Sequence, residues 1–503
     1  MMTQPSASPL TTADMAAWAD RLRQQGHVRV RQIETHISWL VMAADRVWKV
    51  KKPVRLPFVD FSTLALRRHF CEEELRLSRR LAPQIYRRVV PLWRDAHGVP
   101  DTHRLARPAD EWAVEMLRFA DDALLAQQVH AGQLAPTALH ALGVQMARFH
   151  SATAAQCPDA HYGSADLIAS DVRALFAPLC GGPFAERVPI WQEWVAQQVA
   201  RLTPLWRQRH RQGFVREGHG DLHMGNLVVL DGRIVPFDCI EFDPAKRWID
   251  PVNDIAFLTM DLQAAGHTGL AAQVQDGWLQ QGGDFAGLAT WRFYEVYRAM
   301  VRAMVTGLSP ASGSDGTAPG AHYADLLDGW TGRSSRPQLA ITCGLSGSGK
   351  STIAAAWLAQ GNAVRLRSDV ERKRLFGLDA LDDSQALGQS IYTEEATTKT
   401  FARLAQLAEQ ALRCGWSVVV DAAFLRQRQR AAFRLLAQRL QLPFTILWCE
   451  APPEVLRQRI AKRRAQSQDP SEATPELVAA QQQWLEPFTD EERPFVQPTS
   501  TGA

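Results

Sequence analysis

The string His219-Gly220-Asp221-Leu222-His223-Met224-Gly225-Asn226 sets out the parts of a phosphoryl-transfer loop. Asp221 can take a proton from an attacking hydroxyl, and Asn226, five positions on, can offer an amide oxygen to Mg²⁺. Asp238, twelve positions after Asn226, supplies a second oxygen donor for the metal. Between them, Leu227–Leu230, Asp231-Gly232 and Arg233–Phe237 read as a tight hairpin, the Asp-Gly pair supplying the positive φ of its turn. That hairpin folds Asp238 back toward Asn226, so a base and two metal ligands converge in one cleft. His-Gly-Asp alone is also the composition of an ordinary turn. Only the common register of Asn226, the hairpin and Asp238 argues for chemistry.

The same Asp-to-Asn spacing occurs in protein kinases, and the block resembles the aminoglycoside phosphotransferase family, which shares the protein-kinase fold. The resemblance implies that Asp221 is the catalytic base and that Asn226 and Asp238 hold Mg²⁺. Asp250-Pro251 and Asp254-Ile255-Ala256 match the family's downstream signature, with Asp254 expected to cap a helix or brace the loop. A kinase-like fold needs a small β-rich lobe ahead of this loop, with a strand lysine for the α/β-phosphates and a helix Glu to hold it. Ile37–Met42 and Arg46–Lys51 read as neighbouring strands, and alternation along the second puts Lys49 and Lys51 on one face. Lys49 is preferred because Val47 lies two residues before it, with Lys51 close behind. The helix around Arg67–Leu77 supplies the acid: Phe70, Leu77 and Leu81 put Glu74 near the buried side, with Glu73 as the alternative and a solvated Glu run as the plain reading. Residues 34–39 lack a Gly-x-Gly-x-x-Gly loop, and Ala113–Leu117 would be the hinge strand.

A second phosphate site lies far downstream. Gly344-Leu345-Ser346-Gly347-Ser348-Gly349-Lys350-Ser351 fits G-x-x-x-x-G-K-[ST], between a strand-like run (Leu339–Cys343) and a helix-like run from Thr352. In that setting the glycines turn backbone N–H groups onto the phosphates, and Lys350 reaches the β/γ-phosphates. Ser351 binds Mg²⁺. Residues 344–352 are thus the candidate nucleotide contacts. Trp416–Asp421 ends an apolar run in Asp, so Asp421 is a further candidate for the metal, although many strands end in Asp for structural reasons. Arg457, Arg459, Arg463 and Arg464 lie on a helical pattern after the run Phe444–Cys449; Arg459 and Arg463 are candidate lid arginines, the alternative being a solvated basic face. This half resembles P-loop kinases of the gluconate kinase, polynucleotide kinase and zeta-toxin type. In some of these an Asp after the second strand contacts or deprotonates the acceptor hydroxyl, which implies that role for Asp369.

A chain of 503 residues has room for two or three domains with real cores. The net charge of +3 makes no electrostatic case for nucleic acid or membrane, and seven scattered cysteines without a C-x-x-C pair argue against zinc or a disulfide framework. No signal peptide and no apolar run of membrane-spanning length are evident, so a cytoplasmic setting is expected. Breaker-rich residues from Ser309 to Gly320 read as a linker. The expected architecture is multidomain α+β and α/β: a protein-kinase-like two-lobed domain over 1–308 (N-lobe about 25–115, C-lobe about 116–308), a linker at 309–336, and a P-loop kinase-like domain with a parallel sheet over 337–503. Together the halves resemble bacterial fusions of an aminoglycoside-phosphotransferase-like domain with a P-loop ATP-binding domain. The expected cofactors are ATP and Mg²⁺, and the expected partners are small-molecule hydroxyl acceptors. One rival makes one half a degenerate ATP-binding regulator of the other. Another makes the second half a toxin-like or polynucleotide-end kinase.

Overall fold

The computed structural model describes residues 8–56, 59–153, 156–307, 318–332, 336–384, 386–388, 390–466 and 469–499. Residues 309–317 and 333–335 of the expected linker lie outside the described residues, and Ala321–Thr331 within it form a helix. The chain folds as two compact units, one drawn from 1–134, 153–168 and 205–254, the other from 135–152, 169–204 and 255–503.

In the first unit, a six-stranded antiparallel sheet runs in the order β1-β2-β3-β6-β4-β5, with β1 Arg31–Glu34, β2 Ser38–Ala43, β3 Arg46–Lys51, β4 Tyr86–Arg94, β5 Pro100–Asp101 and β6 Glu111–Leu117. Alternation along β3 divides its work. Trp48 and Val50 pack with Trp39 and Val41 against helix α1 (Thr12–Gln24), which buries Met15, Trp18 and Leu22. Val47 faces the other way, toward Cys71 of helix α2 (Leu64–Ser78) and Tyr86. Lys49 and Lys51 share that second face. The expected hairpin forms as β7 (Leu227–Leu230) and β8 (Arg233–Pro236), with Leu230 paired to Arg233. Its turn residues Asp231 and Gly232 take φ of 49° and 73°, the left-handed region that Asp-Gly tolerates at low cost.

The second unit holds a five-stranded parallel sheet, order β10-β11-β9-β12-β13, made of β9 Leu339–Cys343, β10 Ala363–Arg367, β11 Ser417–Asp421, β12 Phe444–Cys449 and β13 Val496–Thr499. Every residue of β9 is buried, as a central strand covered on both faces requires. Strand order reverses at β9, and the glycine loop leaves its carboxyl end there, where open α/β sheets bind ligands. Two further helices of this unit, α3 (Pro136–Ala152) and α4 (Thr268–Gly282), cross at van der Waals limits. A Cβ on Gly143 would stand 2.2 Å from Val274 O, and one on Gly277 2.1 Å from His140 O. From the same crossing, Asp276 reaches β10: its carboxylate pairs with Arg365 at 2.5 Å and lies 3.3 Å from His140 Nε2. Arg365 Nη1 also donates to Ser351 O at 3.3 Å. No described helix is long and apolar enough to cross a membrane.

Candidate functional site

The loop before the hairpin is held open by backbone donors with one acceptor. The Asp254 carboxylate accepts the His219 N–H at 2.7 Å and the Gly220 N–H at 2.9 Å. Gly220 has φ +86°, and a Cβ there would lie 2.9 Å from Lys246 O. The loop therefore turns only as glycine. Asn226 Nδ2 donates to Asp221 Oδ2 at 2.9 Å and to Asp221 O at 3.0 Å, which turns the amide oxygen the other way. The Phe237 N–H donates to Asn226 O at 2.9 Å, closing the hairpin and bringing Asp238 beside Asn226. Asp238 itself has φ +63°, an uncommon conformation for a side-chain-bearing residue, and its N–H donates to the Tyr86 hydroxyl at 3.0 Å.

Five charges run in a row behind this corner. Lys49 Nζ lies 2.5 Å from Asp238 Oδ1 and 2.9 Å from Glu74 Oε1. Lys51 Nζ donates to Glu74 Oε2 at 2.8 Å and to Glu241. Glu74, Lys51 and Glu241 are buried, whereas Lys49 and Asp238 stand nearer the opening. Burial alone would push the Glu74 carboxyl up, but the two lysines hold it well below the usual carboxylate range. Burial likewise opposes the Lys49 ammonium, and Asp238 and Glu74 outweigh it. Glu241 stays raised, because burial exceeds the pull of Lys51. Glu73, the alternative helix acid, instead pairs with Arg76 at 2.8 Å on the outer side of α2. Arg76 and Arg80 tie α2 to the stretch before the loop: Arg76 Nη2 donates to Glu217 Oε1 at 2.8 Å, and Arg80 Nη2 to Gly218 O at 3.0 Å.

The glycine loop opens on a cavity of about 780 Å³. Helix α7 (Lys350–Leu358), which follows α5 (Leu288–Gly307) and α6 (Ala321–Thr331), contributes Lys350, Ser351 and Thr352 to its wall, and helix α8 (Ser368–Leu375) contributes Asp369. Asp421 at the end of β11 and Arg459 and Arg463 of helix α11, counted after α9 (Glu394–Arg413) and α10 (Gln427–Arg439), complete it. Here α11 is Pro453–Gln466. Ser346, Gly347 and Gly349 also line it, while Gly344, Leu345 and Ser348 turn behind it. Gly344 N–H donates to Ala423 O at 3.0 Å, and Leu345 packs beside Leu456 and Ile460. Gly347 and Gly349 have φ of 84° and 92°, which lets the loop curl around a ligand. Lys350 Nζ donates to Leu345 O at 2.7 Å; burial pushes its ammonium below the ordinary lysine value against the pull of Asp421 and Asp369. Arg459 Nη1 reaches Gly347 O at 3.5 Å, and Arg463 lies 3.9 Å from Asp469. Arg457 is exposed, as a solvated arginine would be, and the Arg464 side chain lies outside the described residues.

Residues 45–294 match the model of the phosphotransferase enzyme family, and residues 339–488 match the model of an AAA domain. The chain joins a phosphotransferase-family domain to a P-loop kinase domain. It is therefore a phosphotransferase built on a protein-kinase-like fold and a parallel-sheet P-loop fold. An uncharacterized protein of Mycobacterium tuberculosis is 29% identical over 456 residues, spanning 89% of this chain and 88% of that one. Its Mycobacterium bovis counterpart matches equally. Among solved structures, a choline/ethanolamine kinase family protein from Mesorhizobium loti is 11% identical and covers 64% of this chain and 92% of its own, with a TM-score of 0.38. A gluconokinase from Sinorhizobium meliloti is 18% identical and covers 33% and 83%, with a TM-score of 0.25.

Such families imply Mg²⁺, and the residues present suit it. Among the described residues no trio of His, Cys, Asp or Glu is grouped to hold a metal unaided. Mg²⁺ keeps water and phosphate oxygens as most of its ligands and takes one or two protein oxygens. Asp421 Oδ2 is buried without a hydrogen-bond partner, with Arg367 Nε 3.6 Å away. An oxygen so placed suits a cation or its water shell. Sequence reasoning missed Glu241, although an acid three residues after Asp238 in the apolar run Cys239-Ile240 was a signal. It also missed Glu217 and Arg80, for which the sequence carries no marker.

Proposed function

We propose that the chain is a Mg²⁺-dependent ATP phosphotransferase with two nucleotide sites, each moving the γ-phosphoryl to a hydroxyl group of a small-molecule acceptor. The observation that carries this reading is the convergence of Asp221, Asn226 and Asp238 at one corner, backed by Lys49 on Glu74. In the first site, Asp221 accepts the acceptor's hydroxyl proton as the oxygen attacks phosphorus, and the Asn226 amide fixes the carboxylate's orientation. Lys49 binds the α/β-phosphates by exchanging Asp238 for phosphate oxygen while Glu74 keeps its hold. Asn226 and Asp238 would hold Mg²⁺, which when bound neutralises charge on the β- and γ-phosphates. In the second site, the amides of Gly347 and of Gly349 to Thr352 at the α7 N-terminus bind phosphate, Ser351 and Asp421 would hold Mg²⁺, and Arg459 and Arg463 close over the transferring group. Asp369, which lines the same cavity, takes the acceptor proton there.

The near-neutral charge supports small acceptors over nucleic acid, and the same composition fits a cytoplasmic setting. The domain limits that follow from this reading are 1–308 and 337–503. Transfer from γ-labelled ATP over a metabolite library tests it, run on the full chain and on Asp221→Ala and Lys350→Ala forms. Each substitution should remove a different set of labelled products. If both leave every product untouched, neither pocket is catalytic.

A further inference from the structure

The apex of the glycine loop carries a partner from the far end of the domain. Ser346 N–H donates to Gln481 Oε1 at 2.8 Å. Gln481 lies on helix α12 (Pro475–Trp484), is only 7% exposed, and lines the same cavity as Ser346, Gly347 and Lys350. Helix α12 is seated against the loop's surroundings: Val478 packs with Leu456 and Ile460 of α11, and Leu345 joins that cluster. Gly347 is pressed against α11 so closely that a Cβ would stand 2.7 Å from Leu456 O. The loop's apex is therefore fixed by two helices, and Gln481 is the polar group they bring to it.

A neutral amide oxygen is a weaker acceptor for a backbone N–H than a phosphate oxygen is. When phosphate enters, the Ser346 N–H has a better partner, and an amide oxygen left facing the anion would be repelled. A carboxamide resolves this because it carries an acceptor and two donors on one planar group. Half a turn about its last bond replaces the oxygen with NH₂. The amides next to the α7 N-terminus serve the inner phosphates. Ser346 instead adjoins Gly347, whose carbonyl Arg459 reaches, on the side of the transferring group.

We infer that Gln481 is a positioning residue for the terminal phosphate at the P-loop: its oxygen holds the Ser346 N–H before binding, and its NH₂ group takes a phosphate oxygen afterward. This rests on the reading of the cavity as a nucleotide site. The test is calorimetric titration of the full chain with ATP and with ADP, counting only the binding that Lys350→Ala abolishes. Gln481→Ala should weaken ATP about 10-fold, the loss expected for one charge-assisted hydrogen bond, and leave ADP within about twofold. Gln481→Glu keeps an acceptor for Ser346 but offers no donor and adds a negative charge. It should weaken ATP further, about 100-fold, with a smaller effect on ADP. Equal losses for ATP and ADP in either variant would assign Gln481 a merely structural role and overturn the inference, as would unchanged ATP affinity in Gln481→Glu. If Gln481→Ala does not fold, the near-isosteric Glu variant decides alone. Absence of any Lys350-dependent binding in the unsubstituted chain would remove the nucleotide site itself, a different failure from the loss of selectivity.

Discussion

The two phosphate pockets solve one electrostatic problem in opposite ways. Around Lys49 and Lys51 every charge already has a partner: two ammonium groups sit among the carboxylates of Glu74, Glu241 and Asp238. Around Lys350 the attraction for phosphate comes from backbone N–H groups and a helix end, and buried Ser348 Oγ, Asp421 Oδ2 and Arg463 Nη2 carry no hydrogen bond. In the first corner Glu74 Oε1 carries none either, but there Lys49 stands 2.9 Å from it, closer than Arg367 stands to Asp421. A pocket made of paired side chains binds by exchange, since Lys49 must give up Asp238 to take phosphate. A pocket made largely of backbone binds through its curvature and gives up only neutral partners, Leu345 O at Lys350 and Gln481 Oε1 at the Ser346 N–H. The first arrangement ties affinity to the stability of a buried charge row, and the second ties it to a few glycine torsions.

Substitutions can break that contrast at several points. The largest effect should come from Asp221→Asn, which keeps the shape but removes the proton acceptor. In a Lys350→Ala background, transfer of label from γ-labelled ATP should fall by about 10²- to 10⁴-fold while ATP binding persists. Undiminished transfer would mean that the corner at Asp221 is not the base. Next, Glu74→Ala should destabilise the chain by about 3–5 kcal/mol in urea unfolding, because it leaves Lys51 buried with one acid fewer. Asp421→Ala, at an atom that has no hydrogen bond to lose, should stay within about 1 kcal/mol on the same measurement. If the two cost the same, the contrast between the pockets fails.

Torsions sharpen the comparison. Gly347→Ala combines φ +84° with a 2.7 Å approach to Leu456 O, and should cost about 1–3 kcal/mol and abolish Lys350-dependent ATP binding. Gly232→Ala, at φ +73° with open space around it, should cost about 1 kcal/mol or less and leave both nucleotide affinities unchanged. The smallest effect is a pH dependence. Glu74 titrates lower in the folded chain than in the unfolded one, so its contribution is present above the unfolded value near 4.5 and fades as pH falls toward about 2. Urea midpoints should therefore drop between those limits, and Glu74→Gln should flatten that part of the curve.

What could be read from the residues was what lies close together along the chain. The Asp221-to-Asn226 spacing, the Asp231-Gly232 turn and residues 344–351 each declare themselves within a dozen positions, and the hairpin and β9 form where local pattern puts them. The helix Thr12–Gln24 was also readable, since Met15, Trp18, Ala19 and Leu22 recur at helical spacing behind a Thr11–Asp14 capping box. It went unpredicted because it carries no chemistry to single it out. Glu241 and Gln481 are a different case. Their partners Lys51 and Ser346 lie 190 and 135 positions away, and even the signal at Glu241, an acid close after Asp238, does not name the lysine it meets. Such pairings exist only once the chain has folded.

The Asp276–Arg365 pair has a practical corollary. The aspartate comes from a helix inside the stretch matched by the phosphotransferase family, and the arginine from β10, the strand that follows the glycine loop's helix in the chain. Cutting the protein at the breaker-rich stretch would strand an anion on one fragment and a cation on the other, each with the apolar surface that once sheltered it. Fragments made that way should be less soluble than the parent, so dissection of this polypeptide is better done by point substitution than by truncation.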